Sequence, residues 1–365
     1  MPCLEKILVS SFRNIEFQEL ELSPNLNCIS GNNGEGKTNL LDAVWYLSMT
    51  KSAFSGGDRY NFRFGTQEFS LCGHYRMANG LKSCFSVKVS ADGTKKFLRD
   101  DKPYQKISEH IGVLPVVMVS PSDTCLVSES GEERRRFVNS VVSQMDSGYL
   151  SAIQQYNRLL AQRNTMLKEN NPDLSLMEVI DMRLSAFAAP VHEHRAEFAR
   201  KLSPVVGEYY RMLSGGGEEV GVEYRSDLDE MTMEDCLLRS RDRDRMMKYT
   251  TCGIQRDDFL FSMNGHPMRR CGSQGQQKSF LVALKLAQYD IMKESYGFAP
   301  MLLLDDVFDK LDMERISHLL EMVSGSDFGQ IFITDSNKVR MASLVDRITS
   351  DRAYFEAAGG TFRRE

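Results

Sequence analysis

Residues 31–38, with the sequence Gly-Asn-Asn-Gly-Glu-Gly-Lys-Thr, constrain the fold of this chain more than any other stretch. Their spacing is that of a phosphate-binding loop, in which glycines let the backbone turn tightly and point its N–H groups at an anion. In such a loop Lys37 reaches the β- and γ-phosphates, and the Thr38 hydroxyl holds Mg²⁺. The motif therefore predicts a strand, a loop and a helix that together bind a nucleoside triphosphate.

The flanking residues agree with this interpretation. Residues 26–30 are predicted to form a short buried strand, and residues 39–49 a helix with Leu40, Val44 and Leu47 on one face. A strand followed by a glycine loop and a helix N-terminus is the setting that a phosphate needs. A glycine turn without a ligand is the alternative, and this context disfavours it.

A second part of the predicted site lies near residue 305. The apolar run 300–304 ends in Asp305 and Asp306, which is typical of a buried parallel strand that delivers carboxylates to an active site. We expect Asp305 to orient the Mg²⁺ shell and Asp306 to polarise the attacking water. A further buried strand is predicted at 330–334, ending at Thr334. A solvated strand end is the alternative for Asp305 and Asp306.

The stretch 272–277, Gly-Ser-Gln-Gly-Gln-Gln, precedes apolar residues at helical spacing. Ser273 and Gly275 are therefore predicted at or just before a helix N-terminus, where backbone N–H groups suit phosphate oxygens. Taken alone, a capped helix after a turn explains this stretch equally well. The carboxylates at 305–306 make the phosphate interpretation the stronger one.

Elsewhere the apolar period divides the chain. Alternation over 69–99 predicts antiparallel strands with a hairpin turn at Asp92-Gly93, residues 100–103 break the pattern, and residues 113–119 return to the core. Helical spacing over 122–213 predicts separate helices interrupted by Pro172 and Pro190, after which 220–224 resumes a strand of the sheet. The predicted domains are a discontinuous head, 1–120 and 216–365, and a lobe, 121–215.

Bulk properties exclude several classes of protein. No apolar run approaches the roughly 18 residues of a membrane span, and the N-terminus lacks a secretion signal, so we expect a cytoplasmic protein without a membrane partner. The eight cysteines contain no C-x-x-C pair and predict neither disulfides nor zinc. With a net charge of −5, any nucleic-acid binding needs a local basic surface. The arginine-rich stretches 134–136 and 239–245 are more often solvated helix faces than DNA sites.

These motifs, in this order, resemble the RecF family of bacterial DNA repair ATPases, which is related to the heads of structural-maintenance-of-chromosomes (SMC) proteins and to ABC ATPases. The resemblance covers the whole chain. It departs from the family pattern at Gln255, where His is usual, at Ser122, where an acid is common, and at Asp309-Lys310, where Ser-Glu is usual. The residues that carry it are Phe12-Arg13-Asn14, the phosphate loop through Asn39 with Leu40-Leu41, Lys51-Ser52, Arg134-Arg135-Arg136, Gly253 with Arg256-Asp257-Asp258, the stretch 273–277, and 303–308 with Leu311-Asp312.

The resemblance implies an α/β fold, an ABC-type ATPase head, in which a mixed sheet with a phosphate-loop core joins an antiparallel β subdomain and an inserted all-helical lobe. In that family two protomers enclose two ATP molecules, and the signature loop of each completes the other's site. The implied partners are double-stranded and gapped DNA, RecR with RecO, and a second copy in an ATP-dependent homodimer. The implied role is promotion of RecA loading on single strands in repair and replication, together with the SOS response.

The resemblance also assigns roles to individual residues. Asp306 in place of Glu, and Thr334 in place of a switch His, imply slow hydrolysis. The chain would thus be a weak DNA-stimulated ATPase and primarily an ATP-switched DNA-binding protein. The catalytic set is Asp306, Lys37 and Ser273, and the Mg²⁺ ligands are Thr38 and Asp305. The ATP-binding set is Gly31, Asn32, Asn33, Gly34, Glu35, Gly36, Lys37, Thr38, Asn39, Arg13, Ser273, Gly275 and Gln276.

Three other functions stay open. A small-molecule phosphotransferase shares the phosphate loop but not a signature loop placed just before the 305–306 carboxylates. A transporter's nucleotide-binding subunit would usually have a switch His and would need a membrane-coupling partner. A nuclease of the OLD type would need a further domain after residue 306, where only about 60 residues remain.

Overall fold

A computed structural model describes residues 1–169, 173–310, 313–323, 327–345 and 351–365. The strands in chain order are β1 (Cys3–Phe12), β2 (Ile15–Glu21), β3 (Leu26–Ser30), β4 (Glu68–Arg76), β5 (Lys82–Ser90), β6 (Lys95–Arg99), β7 (Lys102–Pro103), β8 (Val116–Val119), β9 (Val220–Arg225), β10 (Asp258–Met263), β11 (His266–Pro267), β12 (Met301–Leu304), β13 (Ile331–Asp335), β14 (Arg352–Ala358) and β15 (Thr361–Arg364). The helices are α1 (Lys37–Met49), α2 (Cys125–Ser128), α3 (Gly131–Met145), α4 (Ser147–Met166), α5 (Leu174–Ser214), α6 (Met233–Met247), α7 (Met268–Cys271), α8 (Gln274–Tyr296), α9 (Met313–Val323) and α10 (Lys338–Val345).

The described chain divides into two compact units. The head unit comprises 1–124, 209–216 and 273–365, and the lobe unit comprises 125–208 and 217–272. No helix among the described residues is long and apolar enough to cross a membrane.

One sheet of the head is the mixed sheet predicted around the phosphate loop. Its order is β15-β14-β3-β13-β12-β8, and all neighbours are parallel except the edge pair β14 and β15. Strands β3, β12 and β13 are buried along their whole length, which explains their continuous apolar runs. The register places Leu304 opposite Ile333, so the residues just beyond them, Asp305 and Thr334, lie side by side.

The second sheet of the head is antiparallel, in the order β2-β1-β4-β5-β6-β7. The predicted Asp92-Gly93 turn lies between β5 and β6, with Gly93 at φ +88°. The prediction that residues 100–103 break the pattern is confirmed for 100–101, which form a turn, and wrong for 102–103, which form β7. Asp100 and Asp101 adopt left-handed φ angles of 51° and 62° and turn the chain into β7, so the sheet gains one more strand there.

Helix α1 contacts both sheets of the head. Its residues are buried nearly all round, and not on one face only as predicted, because a helix enclosed by two sheets has no solvent side. Along the strands of the mixed sheet, alternate residues such as Val116, Leu303 and Phe332 join the apolar cluster around α1. This packing fixes the N-terminus of α1 at the carboxyl end of β3.

Two sequence predictions fail in the lobe. Pro190 does not separate two helices, because α5 runs continuously through Pro190 and Pro204. Its neighbours Leu184, Ala188 and Val191 are fully buried, and their packing outweighs the one backbone hydrogen bond that a proline removes. Pro172 lies outside the described residues.

The second failed prediction is that 220–224 returns to the head's sheet. Strand β9 pairs instead with β10 in a separate antiparallel sheet of order β11-β10-β9. The backbone N–H of Val222 also donates to Ser203 Oγ of α5 at 2.9 Å. Residues 217–272 therefore group with the lobe, which makes the lobe unit mixed α/β, and the predicted boundaries 121–215 differ from this grouping.

The arginines at 134–136 take part in the internal packing of the lobe. Arg134 forms a bidentate ion pair with Asp258, at 2.8 Å from Nε to Oδ1 and 3.0 Å from Nη2 to Oδ2. Arg135 donates to the carbonyl oxygen of Asp257 at 2.6 Å. One hydrogen-bond network thus joins two of the sequence motifs, the arginine triplet 134–136 and Arg256-Asp257-Asp258. The basic residues of 239–245 lie exposed along α6, as interpreted from the sequence.

Candidate nucleotide-binding site

The phosphate loop connects β3 to α1 through glycines in conformations that other residues avoid. Gly31, Gly34 and Gly36 have φ angles of +154°, +87° and +105°. A Cβ atom on Gly36 would lie 2.7 Å from Asn14 Oδ1, and one on Gly31 would lie 2.5 Å from the carbonyl oxygen of Ala357. At these two positions glycine is required by close approach as well as by the backbone angle.

Lys37 is the first residue of α1 and is buried, with 3% of its side chain exposed. Its Nζ donates to the carbonyl oxygens of Gly31 at 2.8 Å and Asn32 at 3.2 Å, and lies 3.9 Å from Asp306 Oδ1. The ammonium group therefore lies inside the loop, next to the helix N-terminus. Both features favour an anion there. Asn32, Asn33 and Gly34 form the exposed tip of the loop.

Thr38 and Asp305 connect the start of α1 to the end of β12 in the mixed sheet. Thr38 Oγ1 donates to the Asp305 carboxylate and lies 3.0 Å from each of its oxygens. Thr334 Oγ1 donates to Asp305 Oδ1 at 2.8 Å and accepts from the backbone N–H of Asp306 at 2.9 Å. Burial raises the pKa of Asp305 to about 6, against the opposing effect of the hydrogen bonds from Thr334 and Thr38.

This arrangement suits a hard divalent cation. The hydroxyl of Thr38 and the carboxylate of Asp305 offer oxygen donors, which are the ligands that Mg²⁺ takes in phosphate sites. Asp305 is 2% exposed, so a cation beside it would offset the cost of burying its charge. The donor set and the burial of Asp305 therefore fit Mg²⁺.

Asp306 has a φ angle of +44°, in the left-handed region that non-glycine residues rarely occupy. Its side chain is partly exposed, at 22%, and faces Lys37. Such a conformation costs about 1–2 kcal/mol and recurs at active sites as well as in turns. The backbone of Asp306 is thus held in this strained turn, with its N–H bonded to Thr334.

Arg13 and Asn39, both predicted to bind the nucleotide, are engaged with each other and with α1. Arg13 Nη2 lies 2.6 Å from Asp42 Oδ2 and donates to Ser52 Oγ at 2.8 Å, while its Nη1 donates to Asn39 Oδ1 at 3.0 Å. In this structure the guanidinium group therefore holds α1 in place. The sequence analysis missed Asp42, which is the buried acceptor of this network. Its only indication in the sequence was a single acid among the apolar residues of the α1 helix.

The C-terminal hairpin supports the other side of the loop. The carbonyl oxygen of Glu35 accepts from the backbone N–H of Gly360 at 3.0 Å, and the Glu35 carboxylate accepts from that of Gly359. The sequence analysis also missed this contact, because Gly359-Gly360 indicates a turn but not which residues the turn meets. The loop is therefore held between the hairpin turn and Asn14.

The predicted signature residues lie at the N-terminus of α8. Ser273 is exposed and caps the helix. Its Oγ accepts from the Gln276 N–H at 3.3 Å, and the Gln276 side-chain oxygen accepts from the Ser273 N–H at 2.8 Å. A Cβ on Gly275 would lie 3.0 Å from Arg315 Nη1. Within the described ranges, the hydrogen-bond partners of Ser273 lie in α8, so the structure brings Lys37, Thr38, Asp305 and Asp306 together but does not join Ser273 to them.

Comparison with known proteins places this geometry in a family. The family model for the RecF/RecN/SMC N terminal domain matches residues 3–353. The chain is 42% identical over 357 residues to the DNA replication and repair protein RecF of Parabacteroides distasonis, with 98% of both chains covered. It is 39% identical over 358 residues to the protein of that name from Porphyromonas gingivalis, again with 98% of both covered.

Solved structures agree. A structure described as the recombination mediator protein RecF-ATP in the RecFOR pathway superposes with a TM-score of 0.90 at 27% identity, covering 100% of this chain and 98% of that one. An Smc head domain from Pyrococcus furiosus superposes with a TM-score of 0.58 at 15% identity, covering 100% of this chain and 96% of that one, which shows likeness of fold only. The fold is therefore that of an SMC-type and ABC-type ATPase head, as predicted.

Proposed function

Since the chain belongs to the RecF family of DNA replication and repair proteins, we propose that it is an ATP-switched DNA-binding protein of recombinational repair. The observation that carries the nucleotide-binding part of this proposal is the contact between Thr38 Oγ1 and both oxygens of Asp305 at 3.0 Å, beside a buried Lys37. A related protein has been solved with ATP, which supports ATP as the nucleotide.

Each residue of the site has a distinct task in this proposal. The backbone N–H groups of 31–38 and the N-terminus of α1 bind the phosphates. Lys37, whose amine now donates to the carbonyls of Gly31 and Asn32, neutralises the β- and γ-phosphate oxygens. Thr38 and Asp305 hold Mg²⁺, which supplies charge stabilisation to the phosphate oxygens. Asp306 orients a water beside the γ-phosphate.

Hydrolysis in this arrangement is slow. Asp306 has a shorter side chain than the Glu that faster ATPases carry at this position. Thr334 stands where those enzymes have a switch His, and its hydroxyl donates to Asp305, so no imidazole contacts the γ-phosphate from this position. A slow rate suits a protein whose ATP-bound state is the working state. ATP would then act mainly as a switch for assembly.

The second half of the site is supplied by a second copy of the chain. Ser273 is exposed at the N-terminus of a 23-residue helix, and its hydroxyl lies at the surface while its Oγ accepts from the Gln276 N–H. Ser273, Gly275 and Gln276 would meet the γ-phosphate bound by the partner protomer. ATP thus joins two protomers, each of which completes the other's site.

The ATP-bound dimer would bind double-stranded and gapped DNA through phosphate contacts, without reading sequence. Solved relatives are described as part of the RecFOR pathway, which supports RecO and RecR as partners. We place the chain upstream of RecA loading on single strands and, through that step, in the SOS response.

Mixing two inactive variants tests the composite site. Lys37→Arg disables the phosphate loop and Ser273→Arg disables the signature loop. A heterodimer of the two carries both lesions in one site and leaves the other site intact. We expect each variant alone to lack DNA-stimulated ATPase and the mixture to recover about a quarter of the wild-type rate, if half of the dimers are mixed and each has one working site. No recovery, with both variants folded and mixed dimers present, would count against completion in trans.

A control separates cap loss from signature loss. Thr232 is the exposed N-cap of α6 and accepts from the Asp235 N–H at 3.1 Å, much as Ser273 does in α8. Thr232→Arg should keep full ATPase activity and DNA binding. An equal loss in Thr232→Arg and Ser273→Arg would mean that the effect comes from helix stability.

A further inference from the structure

We propose that Cys72, His74 and Cys84 form a binding site for a thiophilic divalent cation, specifically Zn²⁺, on the outer face of the antiparallel sheet. The candidate ligand atoms, the two Sγ atoms and a ring nitrogen of His74, all lie within 4.8 Å of one another. This site is separate from the nucleotide site and does not depend on the proposed function.

Strand pairing brings the three residues together. Cys72 and His74 are two apart on β4 and so point to the same face, and Cys84 on β5 lies directly opposite His74. The other face of the same strands carries Leu71, Tyr75 and Phe85 of the apolar core. The cluster therefore lies on the solvent side, with both cysteines partly exposed and His74 exposed.

The distances fit a tetrahedral zinc site. Zinc bonds of about 2.0–2.3 Å to nitrogen and sulfur place neighbouring ligands about 3.5–3.8 Å apart. Cys72 Sγ lies 3.2 Å from Cys84 Sγ and 3.9 Å from His74 Nε2, values that lie on either side of this range. Small side-chain rotations would therefore suffice. A disulfide, at about 2.05 Å, needs a much closer approach of the two sulfurs.

The ligand types also favour zinc. Two cysteines and one histidine form a mixed sulfur and nitrogen set, which suits Zn²⁺ and excludes the oxygen-seeking Mg²⁺ and Ca²⁺. Three protein ligands leave the fourth position to water or to a ligand from outside. His74 and Cys84 line an open groove of about 780 Å³, which gives that position access to solvent.

The backbone around the cluster is fixed before any ion binds. The N–H of Cys84 donates to Asp100 Oδ1 at 2.8 Å, and the N–H of Asp100 donates to the Cys84 carbonyl oxygen at 2.8 Å. Sequence analysis did not predict this site, because Cys72, His74 and Cys84 do not form a C-x-x-C pair. Only the register of β4 and β5 makes them neighbours.

The test uses the full chain without a histidine tag, reduced and freed of metal, then titrated with Zn²⁺ against a chromogenic chelator. We expect one zinc per chain, and at least about a 100-fold loss of affinity in Cys72→Ser, Cys84→Ser and His74→Ala. Co²⁺ in place of zinc should give thiolate-to-cobalt charge-transfer absorption that each cysteine variant weakens. Cys271→Ser and His266→Ala, which alter an exposed cysteine and an exposed histidine elsewhere, should bind zinc as the wild type does.

Two results would overturn the proposal. One is zinc affinity in the wild type no higher than in Cys72→Ser. The other is a reduced protein that takes up cobalt without charge-transfer absorption, which would place the ion on other residues. Because all variants lie outside the nucleotide site, their ATP binding should stay at the wild-type level, and this measurement also reports that they are folded.

Discussion

Replacing Asp305 by Asn should stabilise the metal-free protein near neutral pH while removing its Mg²⁺ ligand. Asp305 is 2% exposed, and burial raises its pKa from 3.8 to about 6. Between these two pH values the folded state holds a proton that the unfolded state has already lost. Stability therefore falls as pH rises through this window and stays lower above it.

The gain in stability expected for Asp305→Asn follows from the pKa shift of Asp305. Each pKa unit corresponds to 1.36 kcal/mol, so the ionised Asp305 costs about 3 kcal/mol above pH 7. Asn carries no charge and escapes this cost, and Thr38 and Thr334 can reorient their hydroxyls to bond its amide. For a chain of this length, 3 kcal/mol raises the unfolding midpoint by about 4 °C.

The assay is thermal unfolding in EDTA, followed from pH 4 to pH 8 for the wild type and Asp305→Asn. The difference between the two proteins should be near zero at pH 4 and reach its full value by pH 7. His110 has the opposite effect on the pH dependence of stability, because burial lowers its pKa to about 4 and stability is lost as pH falls. This contribution is the same in the wild type and in Asp305→Asn, so it cancels in their difference. With Mg²⁺ and ATP added, only the wild type should gain stability.

Asp335 provides the matched control. It is buried at the end of the neighbouring strand, but it has a full ion pair with Arg340 at 2.7 Å. Asp335→Asn should therefore destabilise the protein at pH 8, by about 1–3 kcal/mol. A stability difference between Asp305→Asn and the wild type that is the same at pH 8 as at pH 4, or an Asp305→Asn protein that is the less stable of the two at pH 8, would contradict this prediction.

Three further outcomes are expected. Lys37→Arg replaces a compact ammonium by a planar guanidinium group that cannot keep both carbonyl contacts of the loop. The ATPase rate should therefore fall more than about 100-fold, and a normal rate would show that Lys37 is not part of the site. Gly36→Ala should weaken ATP binding at least about tenfold by isothermal titration, because its Cβ would lie 2.7 Å from Asn14 Oδ1. Gly34→Ala, whose Cβ would meet no atom within 4 Å, should weaken ATP binding less, and equal effects of the two substitutions would exclude the clash as the cause. Relative to the wild type, His110→Gln should gain stability as pH falls from 6.5 to 4, because burial lowers the pKa of His110 to about 4 and its neutral ring donates from Nε2 to the Leu47 carbonyl oxygen. A stability difference between the two proteins that does not change over this range would contradict the assignment.

The parts of the fold that could be predicted from sequence are those whose cause is local. Glycines at 31, 34 and 36 are needed by backbone angles at those positions, and the apolar run before Asp305 reflects a strand buried on both faces. Motif spacing therefore located the loop and the carboxylates.

The failures share a different cause, which is contact between distant residues. Whether β9 pairs with the head's sheet or with β10 depends on a partner over 30 residues away, and its own sequence is equally suited to both. Pro190 lies inside a helix because the packing of its neighbours outweighs its local preference. The Glu35 contact with Gly359 spans 324 residues, and no local pattern encodes it.

The mass of the protein in solution, measured by light scattering with and without nucleotide, tests ATP-dependent dimerisation most directly. We expect a 41.5 kDa monomer without nucleotide and about twice that mass with Mg²⁺ and ATP. Ser273→Arg should bind ATP as a monomer and fail to dimerise, because Lys37, Thr38 and Asp305 are intact while the exposed Ser273 surface is blocked. A wild-type mass that ATP leaves unchanged, or a Ser273→Arg monomer that no longer binds ATP, would contradict it.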